Sequence, residues 1–207
     1  MVILLPFAVN SLWRGREVDR SLDALHQQID TQNMADAPAV VERLRTPGGA
    51  PSAVLADSLY VARFATALPA SPRRRSLLDL AVTRVTEILP SRRYWGEAWA
   101  ILAFALASRD GERSPDVLRS FARSYLDSPY LPGLAGWRAR YGLQNWDALG
   151  EGTRSAVAQE AVWYARRGSE EASGIFDLAR RSPGYWQFMR SWLRARPGDV
   201  DFQRLTP

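Results

Sequence analysis

Cysteine is missing altogether from these 207 residues, which excludes a disulfide framework, a thiolate metal site and a cysteine nucleophile. Lysine is missing too, so a phosphate loop of the glycine–lysine type has no residue to complete it. Histidine occurs once, at His26, and any metal site or proton relay that needs two is ruled out. That residue follows Leu22 and Leu25 beside an apolar stripe, where a packed or surface imidazole is the expected role. No apolar run approaches the roughly 20 residues of a membrane-spanning helix. The dinucleotide fingerprint, the nucleophile elbow and the H-E-x-x-H zinc motif are all missing. The expectation is a non-enzyme without cofactor or metal.

What is present is ordinary in amount and unusual in kind. Hydrophobic residues make up 46% and charged residues 24%, which fits a globular domain able to bury roughly 70% of its extended-chain surface. All 27 basic residues are arginine, with a net charge of +5 and a pI near 10.1. Arginine suits bidentate recognition of carboxylate or phosphate. A GC-rich coding bias explains the same preference, and the even spread along the chain favours bias.

The first residues pose a separate question. Val2 to Val9 is apolar, but Arg14 and Arg16 follow it and neither a preceding basic stretch nor a small-residue cleavage site marks a secretory signal. The run is expected to dock on the core, with contact to a membrane or membrane partner through residues 2–9 as the alternative.

Helix punctuation recurs along the chain. Asp36-Ala37-Pro38, Ser71-Pro72, Ser114-Pro115 and Ser182-Pro183 each place a capping side chain at or just before a helix start, with proline in the first turn. Gly152-Thr153 and Ser169 open two more, and Gly168 suits a left-handed helix end. The pattern predicts helices near 16–31, 37–46, 52–67, 72–89, 94–108, 115–127, 132–147, 153–167, 170–181 and 183–195. Alternation of strand type is lacking. Leu77, Leu78, Ala81, Val82, Val85, Ile88 and Leu89 form one apolar stripe. The run Ala98–Ala107 holds no polar residue and reads as a central helix buried on all sides. The fold class is therefore all-α, about ten helices in antiparallel hairpins. Organisation is expected as an N-terminal segment and hairpin over 1–46, a main domain over 47–196 and a tail over 197–207. The Pro- and Gly-rich stretch 46–51 marks the first boundary.

Two stretches follow a repeat pattern. Trp99-x-x-Leu102-Ala103-x-x-Leu106 has the spacing of the first helix of a tetratricopeptide repeat, and Val117-x-x-x-Phe121-x-x-Ser124 with Pro129 that of the second. Half-copies occur at Leu78, Val82, Val85 and Pro90, and at Leu134, Trp137 and Tyr141. The segment 77–141 thus resembles a degenerate tetratricopeptide array. It departs from the pattern at Ala103, Val117 and Ser124 and in its short inter-helix link. The resemblance implies a scaffold or adaptor that binds a partner protein, in a setting such as a bacterial envelope or polysaccharide assembly machine. It leaves open whether the chain is membrane-associated or cytoplasmic.

Trp99, Leu102, Ala103, Leu106 and Phe121 are expected to be fully buried and mutually packed. Glu97 is the best-placed carboxylate for acid–base work and Glu160 a second, each with a structural ion pair as the competing role. Tyr94, Trp95 and Trp99, with Tyr185, Trp186 and Trp192, suit either a stacking groove or core. The candidate anion- or partner-binding residues are Arg73, Arg74 and Arg75, which oppose the macrodipole in the first turn of a helix, and Arg92 and Arg93 in the loop beyond its far end. Arg166-Arg167 and Arg180-Arg181 close helices, where positive charge is favoured. Binding to nucleic acid or another polyanion is the alternative function, motivated by the pI.

Overall fold

The computed structural model describes residues 37–92, 94–167 and 169–195, with the backbone alone for 169–172. The expected helix at 16–31, His26, the run 2–9, Arg93, Gly168 and the tail lie outside the described residues. Within them the chain is all-helical, with nine helices. These are α1 (Ala37–Arg45), α2 (Pro51–Ala67), α3 (Pro72–Ile88), α4 (Gly96–Asp110), α5 (Pro115–Asp127), α6 (Ala135–Gln144), α7 (Glu151–Ala165), α8 (Ser169–Arg181) and α9 (Tyr185–Arg194).

Local chemistry sets the starts. The Ser71 hydroxyl accepts the Arg74 N–H and the Ser114 hydroxyl accepts the Val117 N–H, each followed by proline at the first helical position. Ser182 acts differently from expectation. The helix it was read to cap opens only at Tyr185; the Ser182 hydroxyl donates to the Leu143 carbonyl at 2.7 Å and accepts the Gly184 N–H at 3.1 Å. It therefore ties the turn before α9 to α6. The expected helix over 132–147 divides into α6 and a short 3-10 turn over Trp146–Ala148.

One apolar core runs from Val40 and Leu44 of α1 to Phe188 of α9. Neighbouring helices pack in sequence from α1 to α5 and from α6 to α9, and α4 also touches α2. The loop between α1 and α2 needs positive φ at Gly48 and Gly49, and Arg84 of α3 fastens it by donating to the Thr46 and Gly48 carbonyls. Between α5 and α6 the contact is aromatic: Phe121 lies 4.6 Å from the Tyr141 ring and 6.0 Å from that of Trp137. Close approach elsewhere depends on missing side chains, as where a Cβ on Gly142 would stand 2.5 Å from Val157.

The apolar run in α4 does form the hub, with Ala98, Ala100, Ile101, Leu102, Ala103, Ala105 and Leu106 buried. Phe121 is buried as well. Trp99 corrects the expectation of full burial: it is only partly covered. Its face of α4 is only partly closed by α3 and α5, and the ring stands at the floor of a groove between them.

Candidate functional site

That groove crosses α3, α4 and α5. Trp99, Leu102 and Leu106 lie three and four residues apart on one face of α4 and form its floor, Val82 and Thr86 of α3 stand on one side, and Ser120, Ala122, Arg123 and Leu126 of α5 on the other. It encloses about 770 Å³ and is open along its length. Leu126 at its end is 76% exposed, although leucine removed from water would gain about 1.5–3 kcal/mol.

Charge borders the apolar floor. Arg109 donates to Asp79 of α3 at 3.1 Å and to Asp110 at 2.7 Å. The hydrogen bond from Arg109 holds the Asp110 carboxyl below the usual range, with burial opposing it. Arg119 pairs with Asp116, and Arg123 with Asp127 at 3.1 Å. Of these only the Arg119–Asp116 pair is exposed on both sides. Such pairs are worth about 0–1 kcal/mol, so either member can exchange its partner for an incoming charge at little cost, whereas Asp127 is nearly covered.

The candidate arginines are not brought together. Arg73, Arg74 and Arg75 sit at the start of α3 and Arg92 beyond its end, separated by about 25 Å at 1.5 Å per residue. Arg73 lines a smaller cleft of about 350 Å³ between α1 and α3. Arg74 reaches the Leu68 carbonyl at 3.4 Å. Arg92 stacks over Trp95, 4.7 Å from the ring centroid. The aromatic residues are likewise dispersed: Trp95 is buried, Tyr94 and Trp186 are exposed, and Tyr185 and Trp192 pack against the core.

Of the two carboxylates, Glu97 falls in the first turn of α4, where negative charge is favourable. Glu160 of α7 is fully buried in an ion pair with equally buried Arg138 of α6. Its oxygens accept from Arg138 Nε and Nη2 at 2.8 and 2.7 Å, from the Tyr125 hydroxyl at 2.7 Å and from the Leu131 N–H at 3.1 Å. Arg138 spends its remaining donors on the Ser124, Ser128 and Pro129 carbonyls at and beyond the end of α5. A helix leaves carbonyls there short of intrahelical partners, although that of Ser124 also accepts the Ser128 N–H. Its guanidinium lies 3.8 Å from the Tyr125 ring centroid. Burial pushes the Glu160 carboxyl up, and Arg138 pulls against that shift. A carboxylate enclosed by four donors cannot reach a substrate proton, which acid–base catalysis requires. Glu160 is a structural group.

Among the described residues no cluster of His, Asp or Glu is placed to hold a metal ion, and no helix is long and apolar enough to cross a membrane. No protein-family model matches the chain, and neither does any curated protein or solved structure.

The groove was missed from sequence because the polar-free run Ala98–Ala107 reads as buried on every side. The available signal was Leu126, an apolar residue on α5 away from the buried row of Val117, Phe121, Ser124 and Tyr125.

Proposed function

We propose that the chain is a non-catalytic docking module whose α3–α5 groove receives an amphipathic helical segment of a partner protein. The observation that carries this reading is the apolar groove floored by part-exposed Trp99 with Leu102 and Leu106 lining it beneath, continued to exposed Leu126 and bordered by the exposed Arg119–Asp116 pair. Apolar anchors at i, i+3, i+4 and i+7 of a partner helix match such a floor. Acidic and basic residues beside those anchors would meet Arg119, Arg123 and Asp116. The groove also lies within the segment that resembles tetratricopeptide repeats, where partner binding is the expected role.

The test is site-specific photocrosslinking in the native cell from positions 86 and 126, with position 76 outside the groove as the control. A discrete adduct from the first two alone is expected. A synthetic peptide covering the adducted segment should then bind the purified chain, and Leu126→Arg should weaken it at least about tenfold, since losing one buried leucine exceeds 1.4 kcal/mol. The melting midpoint should stay unchanged. Equal labelling from position 76, or peptide binding indifferent to Leu126→Arg, rejects the reading.

A further inference from the structure

A second surface, independent of the groove, lies on α9. Its inner side is firmly held. Phe188 is buried 5.1 Å from the Phe176 ring, and Phe176 also meets Trp192 at 4.6 Å. Arg166 stacks on Trp192 and donates to the Trp192 and Ala195 carbonyls at the helix end. Gly184 fits against Trp146 so closely that a Cβ there would stand 2.5 Å from the indole. Which side of α9 faces outward is therefore fixed by packing.

The outer side carries Trp186, Arg190 and Leu193, spaced four and three apart and hence on one stripe. Trp186 is 72% and Leu193 78% exposed. Arg194 is one turn on from Arg190. Neither arginine is paired with any described acid, whereas Arg109, Arg119, Arg123, Arg138 and Arg180 all are. Both border a cleft of about 540 Å³ between α7 and α9, with Ser155, Gln159, Gln187 and Ser191 as neutral hydrogen-bonding groups and Glu151 as the one acid.

We infer that this outer face of α9 docks on an anionic phospholipid bilayer. Arg190 and Arg194 supply the attraction for lipid phosphate at the mouth of the polar cleft, and Trp186 and Leu193 enter the headgroup layer. An indole at such an interface has one apolar and one hydrogen-bonding side to satisfy. A short helix with apolar and basic residues on one side lies in the interface plane rather than across the membrane. Unpaired cations are what the bilayer charge selects: exposed arginines already neutralised by a neighbouring aspartate would add little.

The test is vesicle flotation of the full chain, comparing phosphatidylcholine alone with equal parts phosphatidylcholine and phosphatidylglycerol. Binding to the anionic vesicles only, weakened by added salt, is expected. Replacing Arg190→Gln or Arg194→Gln should lower partitioning roughly fivefold each, the equivalent of about 1 kcal/mol per basic residue at an anionic surface. Trp186→Ala with Leu193→Ala should lower it further, with the thermal melt of every variant unchanged. Failure of the wild-type chain to float overturns the inference. So does flotation that none of the four substitutions alters, which would place membrane contact elsewhere in the chain. Free glycerol phosphate serves as the soluble probe. If it binds as tightly as vesicles do, and Trp186→Ala with Leu193→Ala changes neither, the cleft is a soluble-anion site and the bilayer assignment fails.

Discussion

Arg138 and Arg190 are the same residue type on helices of equal length, and the molecule uses them in opposite ways. Arg138 is fully buried, every guanidinium donor is engaged, and the carboxylate it meets accepts from two groups besides, the Tyr125 hydroxyl and the Leu131 N–H. Arg190 lies at the surface and forms no ion pair with a described acid, although Glu151 lines the same cleft. The first arrangement welds α5, α6 and α7 where α5 and α6 otherwise meet through aromatic rings. The second leaves a charge available. A chain whose every cation is arginine therefore reveals little through composition; the environment of each guanidinium decides its role.

The sharpest way to break this comparison is to remove one member of the buried pair. Glu160→Leu strands the Arg138 charge, and Arg138→Met strands Glu160; each should cost about 3–5 kcal/mol in a denaturant titration. If a single variant does not fold at all, the pair Arg138→Met with Glu160→Leu keeps the prediction testable. That double variant should fold and recover most of the loss, because an apolar pair of similar volume leaves no buried charge. A loss below about 1 kcal/mol for either single change would mean the site admits water and is not sealed.

Much of this architecture was legible beforehand, and the exceptions have definite causes. Serine–proline pairs marked the starts of α3 and α5 to the residue because capping and proline geometry are local. The same dipeptide at Ser182 misled, since its hydroxyl is used by a carbonyl 39 positions away in sequence. The apolar run of α4 announced a hub, but composition cannot tell which side of a run without polar residues, such as Ala98–Ala107, lacks a neighbour. Arg138 carried no warning at all. In sequence it is one of 27 arginines, and its burial follows from where α5 ends and α7 passes. The triple Arg73–Arg75 stood out in sequence because its charges are contiguous and oppose the dipole at a helix start, whereas Arg190 and Arg194 share a helix face without touching in sequence.

A smaller perturbation acts on the same knot. Tyr125→Phe keeps the ring beneath the Arg138 guanidinium and removes one donor from Glu160, at a cost of about 1–2 kcal/mol. It should also reshape the alkaline limb of stability. Burial, and then the Glu160 charge, raise the Tyr125 phenol well above its ordinary value, and burial raises Tyr141 to about 12. A folded-state value above the unfolded one means the contribution is complete below about pH 10 and is lost as pH rises through the folded value. Tyr125→Phe should make stability fall less steeply above pH 10, leaving the Tyr141 share. An unchanged alkaline slope would show that the Tyr125 hydroxyl is not enclosed as described.

The smallest expected effect carries the opposite sign, and for that reason tests the comparison most finely. Arg190 and Arg194 stand at i and i+4 on one exposed helix face, where like charges repel by about 0.2–0.5 kcal/mol. Arg190→Gln removes that repulsion while keeping helix propensity nearly constant, and no described ion pair is broken by it. Stability should therefore stay level or rise by a few tenths of a kcal/mol, more at low salt than at high, since exposed charges are screened. The corresponding change at Arg138 moves stability several kcal/mol downward. Denaturant titrations of both variants at two ionic strengths read the contrast directly. A loss above about 1 kcal/mol for Arg190→Gln would show that the outer face of α9 is already covered in the free protein, and that its arginines are structural like Arg138.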